Sequence, residues 1–345
     1  MPRKMRAAVF AENGGPEVIE VRQVPVPEPG AGEVRIKVEA ASMNHLDLWL
    51  RRGLPIETPM PHIGGSDMAG IVDAVGIGAE AVPLGTHVAV DPSIGYDWYE
   101  GERRGASFGD PPFQIIGEHT QGGFAEYAVV PAANLLEIPE GVSSETAAAA
   151  GLVFVTAWRA LMTQARLQAG ERILITGGSG GVGTAAIQIA VRAGAKVYAL
   201  TGGPEKVRQA EELGAHVVYD RHKVDFAREV WRDTTKRGVD VVYDTVGESV
   251  WPQCLRALSV GGRLVTSGAT TGSRGVTEIR AVFWKQLSII GSTMGSPAEF
   301  RKVMRLVFDG SLEPVIHAVM PFDKAREAHE MLEAGKVFGK IVLVP

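Results

Sequence analysis

At 345 residues the chain is long enough for two domains, each with its own core, at about 150 residues per domain. Hydrophobic residues at 45% and charged residues at 22% lie in the globular range and exclude a disordered chain or a coiled-coil rod. The net charge of −5 gives no positive field for a polyphosphate, so nucleic acid is not an expected partner, and a single cysteine, Cys254, excludes an internal disulfide and points to a reducing cytoplasm.

From the N-terminus, the apolar stretch behind the basic start ends at Glu12, short of the roughly 7–15 residues of an export-signal core. Up to about residue 145 the chain reads as short strands between glycines and prolines. Val34, Ile36 and Val38, for example, alternate with Arg35, Lys37 and Glu39. Pro25, Pro27 and Pro29 remove backbone donors and mark an extended connector. Residues 91–118, rich in glycine, proline and charge and without a period, read as a long surface excursion. A helix starts at Ser143 or Ser144, with Glu145 in its first turn, and runs through alanines to Leu161. Its least polar part, Ala147 to Trp158, is far below the ~20 residues of a membrane span, so no membrane partner is expected. Strands and helices then alternate. Apolar runs at 172–176, 196–200, 216–219, 239–243, 262–266 and 286–291, separated by helical stretches, predict an α/β fold with a doubly wound parallel sheet. An amphipathic stretch after Ala298 and a closing strand, KIVLVP, complete the chain.

Directly after the strand RILIT comes GGSGGVG, in which Gly178, Gly180 and Gly183 fit G-x-G-x-x-G with Gly181 and Val182 between them, and TAAIQIA then opens a helix. The first glycine permits the turn, the second admits backbone N–H groups to a pyrophosphate, and the third lets helix and strand pack closely. A dinucleotide is the ligand this context predicts. A carboxylate closing the second strand would bond a ribose 2′-OH and repel a 2′-phosphate. That position is Thr201, followed by Lys206 and Arg208, with Arg221 past the third strand, and this favours NADPH.

With these residues in view, the whole chain resembles the medium-chain dehydrogenase/reductase superfamily, which contains zinc-type alcohol dehydrogenases and zinc-free quinone and enoyl reductases. The resemblance rests on AASMNHLDLWLRRG (40–53), PHIGGSDMAGIVDAVG (61–76), GEHTQGGFAEYAVVP (117–131), the glycine loop and FGKIVLVP. It implies a GroES-like β-rich catalytic domain over 1–150, completed by 296–345, and a Rossmann domain over 151–295. In zinc members a cysteine stands where this chain has Asn44, a histidine where it has Ser66, and a third ligand near Gly151 to Val153. None of these is present, and catalytic zinc needs about three protein ligands, so no metal is expected. The four cysteines of the family's structural-zinc lobe would fall on Tyr96, Tyr99, Glu102 and Asp110, and aromatic packing around Tyr96, Trp98, Tyr99 and Phe108 is expected instead. His45, Asp47, His62, Asp67, Glu118 and His119 remain nearby and keep a non-standard metal site open as an alternative.

The resemblance further implies that Thr156, Gly268, Ala269 and Thr270 hold the nicotinamide carboxamide, that Phe283, Ser292 and Thr293 close the pocket, and that Lys340 belongs to the cofactor-binding set. Without a Lewis acid an alcohol is not readily turned into an alkoxide. An α,β-unsaturated carbonyl or a quinone needs only donors at its oxygen, which Asn44, His45 or backbone N–H groups could supply. His45 or water is the candidate proton donor, Trp49 a wall of the substrate pocket, and Asp47 a further catalytic candidate. The leading expectation is therefore an NADPH-dependent reductase of small molecules, forming a homo-oligomer, dimer or tetramer. Two rivals stay open: an alcohol or aldehyde dehydrogenase with a relocated metal, and a non-enzymatic NADPH-binding protein.

Overall fold

In the computed structural model, which describes residues 3–56, 58–96 and 113–345, the apolar runs of the second half form one six-stranded parallel sheet. Its strands are Arg172–Ile175, Lys196–Thr201, Val217–Asp220, Val239–Asp244, Leu258–Thr266 and Ser288–Gly291. They lie in the order third, second, first, fourth, fifth, sixth, the doubly wound arrangement whose switch point falls beside the first strand. Ile173, Leu174, Ile175, Val241 and Val242 are all buried, which is why these strands read as continuous apolar runs and not as alternating ones. Two boundaries differ from the sequence reading. The fifth strand begins at Leu258, which pairs with Val239 ahead of a register shift. The sixth begins after Gln286, whose φ of 54° is incompatible with extended backbone.

The first half builds a β-rich unit around the strand Glu33–Ser42, which pairs antiparallel with Asp67–Val75, with Tyr127–Pro131 and with the C-terminal strand Lys340–Val344. Val34, Ile36, Val38, Met68, Val72, Val88, Ile341 and Leu343 fill its core. The C-terminal segment therefore returns to the N-terminal one. One compact unit comprises Met1–Leu152 with Gly295–Pro345, and the other Val153–Met294. Helix Ser144–Trp158 continues through a π-helical turn, Arg159–Gln164. Among the described residues this Ser144–Gln164 stretch is long and apolar enough to cross a membrane, yet 78% of its most apolar window is buried within the protein. In the lobe, Tyr96 is buried and its ring lies 4.8 Å from that of Phe113. Trp98, Tyr99, Glu102, Phe108 and Asp110 lie outside the described residues.

Candidate active site

The nucleotide end is built by the turn between strand Arg172–Ile175 and helix Gly181–Arg192. A Cβ on Gly183 would lie 2.2 Å from the Gly177 carbonyl oxygen, so only glycine lets the helix sit this close to the turn. Beside Gly180 the nearest atom to such a Cβ is 3.6 Å away, leaving room above the loop. Gly181, Val182 and Gly183 form the first turn of a twelve-residue helix, whose leading N–H groups have no intrahelical acceptor and suit an anion. At the end of the second strand Thr201 is buried, and its Oγ1 has no partner among the described residues. Arg221 Nε and His222 Nε2 lie 2.9 and 3.0 Å from where a Cβ of Gly202 would stand. The Lys206 ammonium is held below its ordinary pKa by burial and then by Arg221, so the two cations share one neighbourhood. Asp220 is occupied, accepting from the backbone N–H groups of Gly203 at 3.1 Å and His222 at 3.0 Å. Arg208 is engaged elsewhere, in an ion pair with Glu205.

The remaining expected nucleotide residues also lie in this unit. Gly268, Ala269 and Thr270 follow strand Leu258–Thr266, and Thr270 Oγ1 donates to the Thr245 carbonyl at 3.4 Å. Ser292 and Thr293 follow the edge strand Ser288–Gly291, and Phe283 is largely exposed on helix Ile279–Trp284. Thr156 Oγ1 and Ser292 Oγ are buried without partners among the described residues, like Thr201 Oγ1. An unmet buried hydroxyl costs about 1–3 kcal/mol, so these oxygens fit a ligand rich in hydrogen-bonding groups, as a dinucleotide is.

Lys340 belongs to the other unit. It opens the C-terminal strand in the β-rich unit, where Met43 N–H donates to Ile341 O at 2.9 Å and Val342 pairs with Ser42. That pairing brings the Lys340 side chain to Asn44. The Nζ donates to Asn44 Oδ1 at 2.5 Å and lies 3.3 Å from Asp67 Oδ2, and Asn44 Nδ2 donates to Asp67 Oδ2 at 2.9 Å. Leu152 N–H donates to Asp67 Oδ1 at 2.6 Å, and Ser42 Oγ lies 3.4 Å from Oδ2. Lys340 Nζ, Asn44 Nδ2 and Leu152 N–H all donate to the Asp67 carboxylate, while the Ser42 hydroxyl donates to Ala148 O at 2.8 Å. Burial lowers the Lys340 pKa, while Asp67 and Asp47 oppose that shift. With Asp67 0% and Lys340 3% exposed at their side chains, neither charge is tenable without the other.

Asn44 precedes helix His45–Arg52, which carries the other catalytic candidates. Asp47 Oδ2 accepts from Asn44 N–H at 2.7 Å and Oδ1 from Gly65 N–H at 3.0 Å, tying the helix start to the Gly64–Ser66 segment. Burial pushes Asp47 up to about 6. His45 stays partly open to solvent, with its ring edge-on to Trp49 at 6.1 Å. Burial, then Arg52 and Lys340, hold its imidazole below the usual range, which favours the neutral ring. The groups sequence reasoning underweighted sit behind this helix. Ser66 Oγ and Glu118 Oε2 are buried without partners among the described residues, and burial followed by the Asp47 charge pushes Glu118 up to about 7. Arg51, fully buried, bonds Gly14 O at 3.1 Å and Glu333 at 2.8 Å.

The positions that would hold zinc carry an amide at Asn44, a hydroxyl at Ser66 and no side chain at Gly151. A Cβ on Gly151 would come within 2.5 Å of Asp67 Oδ1, so the space for a third ligand is filled by the carboxylate paired to Lys340. That donor set does not fit zinc.

Comparison with known proteins agrees with this architecture. Residues 30–140 match the model of the alcohol dehydrogenase GroES-like domain and residues 181–309 that of the zinc-binding dehydrogenases. The human (Homo sapiens) quinone oxidoreductase is 33% identical over 99% of this chain and 98% of its own. A crystal structure described as an NAD-dependent alcohol dehydrogenase is 42% identical over 99% of this chain and all of its own, with a TM-score of 0.92. A crotonyl-CoA carboxylase/reductase solved in complex with NADP is 26% identical, covering 100% of this chain and 95% of its own, with a TM-score of 0.89.

Proposed function

This chain belongs to the medium-chain dehydrogenase/reductase superfamily and is an oxidoreductase served by a nicotinamide cofactor, and from that premise we propose that it reduces quinones or α,β-unsaturated carbonyls with NADPH and without a catalytic metal. The observation that carries this reading is the Asn44–Asp67–Lys340 cluster. It supplies a positive charge and an amide donor where a metal would have polarised the substrate, and it leaves a zinc ion no ligand set.

Bound nicotinamide supplies a hydride from its C4. The chain's own residues bind and orient. The first turn of helix Gly181–Arg192 takes the pyrophosphate, and the Lys206 and Arg221 cations take the 2′-phosphate beside Thr201. Asn44 Nδ2, with one hydrogen donated to Asp67, offers the other to the acceptor's oxygen as negative charge gathers there. Trp49 walls the acceptor. A neutral His45 ring can donate a hydrogen bond but holds no spare proton, so the proton that completes the reduction comes from solvent water.

The same reading makes the protein cytoplasmic and homo-oligomeric. A second copy would add along the free edge of Ser288–Gly291, beside which Phe283, Trp284 and Ile289 are exposed. Sedimentation of the native chain against an Ile289→Lys variant tests that assembly. For the reaction, oxidation of NADPH and of NADH is followed with an enone, a quinone and an aldehyde, before and after chelation. Turnover of enone or quinone with NADPH, insensitive to EDTA, is expected. The 42% identical NAD-dependent alcohol dehydrogenase favours a second reading, oxidation of an alcohol with NAD. Chelator-sensitive alcohol oxidation in the same assay would establish it and overturn the first.

A further inference from the structure

We infer that Lys340 is a positioning residue for the reduction itself: its buried ammonium, locked on Asn44 Oδ1, aims and polarises the Asn44 amide so that the free N–H becomes the donor to the acceptor's carbonyl oxygen. This rests on the reductase reading above and adds to it the group that makes an ordinary amide adequate without a metal.

The geometry constrains Asn44 from both ends. A lysine stands at one end of the amide and a carboxylate at the other, which fixes Oδ1 toward Lys340 and Nδ2 toward Asp67. Nδ2 carries two hydrogens, Asp67 accepts one, and the second has no acceptor among the described residues. A cation on the carbonyl oxygen draws electron density from the amide nitrogen and strengthens both N–H donors, an effect that low dielectric increases. Asn44 is 6% and Lys340 3% exposed, so water does little to screen the ammonium. The backbone adds rigidity. Asp47 holds the Asn44 N–H, and the C-terminal strand holds Met43.

Electrons and protons balance with the reaction as proposed. Hydride adds to the β-carbon of an enone, the carbon–carbon π pair moves to give an enolate, and the oxygen bears the charge that Asn44 N–H meets. A proton from water then gives the saturated carbonyl, and the nicotinamide leaves oxidised.

The test is Lys340→Met, with Lys340→Met/Asp67→Asn as the charge-balanced partner should the single variant fold poorly. Deleting an oxyanion donor outright costs roughly 10²–10³ in kcat, so removing the group that tunes it is expected to cost about 10- to 100-fold at saturating NADPH. The Kd for NADPH, from quenching of protein fluorescence, is expected to be unchanged, and Lys340→Arg to restore part of kcat. Isotope-edited infrared of a bound enone supplies a readout that mere loss of stability would not move: its C=O stretch is expected to lie below the solution value in the native protein and to return toward it in the double variant. Native kcat and an unmoved carbonyl stretch in a folded Lys340 variant would overturn this inference alone, as would a weakened NADPH Kd with kcat intact, which would make Lys340 a cofactor ligand. A native protein that reduces neither enones nor quinones would overturn the reductase reading, and this inference with it.

Discussion

The neighbourhood of Asn44 and the nucleotide loop are both buried and polar, but they are finished to different degrees. Around Asn44 the charges answer one another: Asp67 has Lys340, Asn44 and Leu152 N–H, and Asp47 has two backbone donors. In the nucleotide unit the hydroxyls of Thr156, Thr201 and Ser292 are buried with nothing to meet them. The first arrangement holds its dipoles in place before any substrate arrives, the condition under which electrostatic stabilisation costs no reorganisation. The second carries its unmet groups as a standing cost of about 1–3 kcal/mol each that a bound ligand removes. Ser66 Oγ, next to Asp67 in the chain, and Glu118 Oε2, whose carboxyl feels the Asp47 charge, are the exceptions on the first side: both are buried without a partner among the described residues.

The most severe way to break that contrast is to unbalance the self-sufficient cluster. Asp67→Ala leaves the Lys340 ammonium buried and alone, and a loss of about 3–5 kcal/mol in urea unfolding is expected, with much of it recovered in Asp67→Ala/Lys340→Met. A small loss in the single variant would mean that the cluster is not a closed unit. The next effect is one of pH. Glu118 stands at about 7 when folded, raised by burial and by Asp47, against about 4.5 when unfolded. Above the lower value the unfolded chain gives up this proton first. Its contribution is therefore neutral below pH 4.5, falls as pH rises toward 7 and then levels, by up to about 3 kcal/mol. Asp47, raised to about 6, adds a slope of the same sign. Glu118→Gln is expected to flatten the decline between pH 5 and 7 in thermal unfolding, roughly halving its slope.

What could be read in advance divides along the same line. The glycine loop, the parallel strands and the uncharged end of the second strand are local patterns, in which a few consecutive residues dictate strand, turn and helix. Thr201 followed from the position closing the second strand, Thr156 and Ser292 from the resemblance, and the structure finds their hydroxyls buried and unmet among the described residues. The bond from Lys340 to Asn44 could not be read in advance, because the two are 296 residues apart and antiparallel pairing of Val342 with Ser42 has no signature in spacing. Gly151 read only as a missing ligand. That it must be glycine for the Asp67 carboxylate to fit is a steric fact about two distant segments. His45 looked suited to carry a proton at its ordinary pKa, and the lowering by burial, Arg52 and Lys340 depends on neighbours that only the fold assembles.

Smaller effects sharpen the contrast from the nucleotide side. Arg221→Ala removes one of the two cations beside Thr201, and the Kd for NADPH is expected to rise about tenfold, near 1.4 kcal/mol, while that for NADH stays put. An equal loss for both cofactors would mean that Arg221 supports the loop and not a 2′-phosphate.

The smallest effect separates the two kinds of buried group most cleanly. Thr156→Val keeps the shape of the side chain and deletes only the hydroxyl. In a satisfied network that deletion would strand a partner and destabilise the protein. Thr156 Oγ1 has no partner to strand, so the variant without cofactor is expected to unfold at the native urea midpoint or to gain up to about 1 kcal/mol. The stabilisation conferred by saturating NADPH is expected to shrink by about 0.5–1.5 kcal/mol, because the bond missing in the free protein is then missing in the complex too. The opposite pattern, a less stable free protein whose NADPH gain is untouched, would assign Thr156 to the fold of its helix and remove it from the nucleotide site.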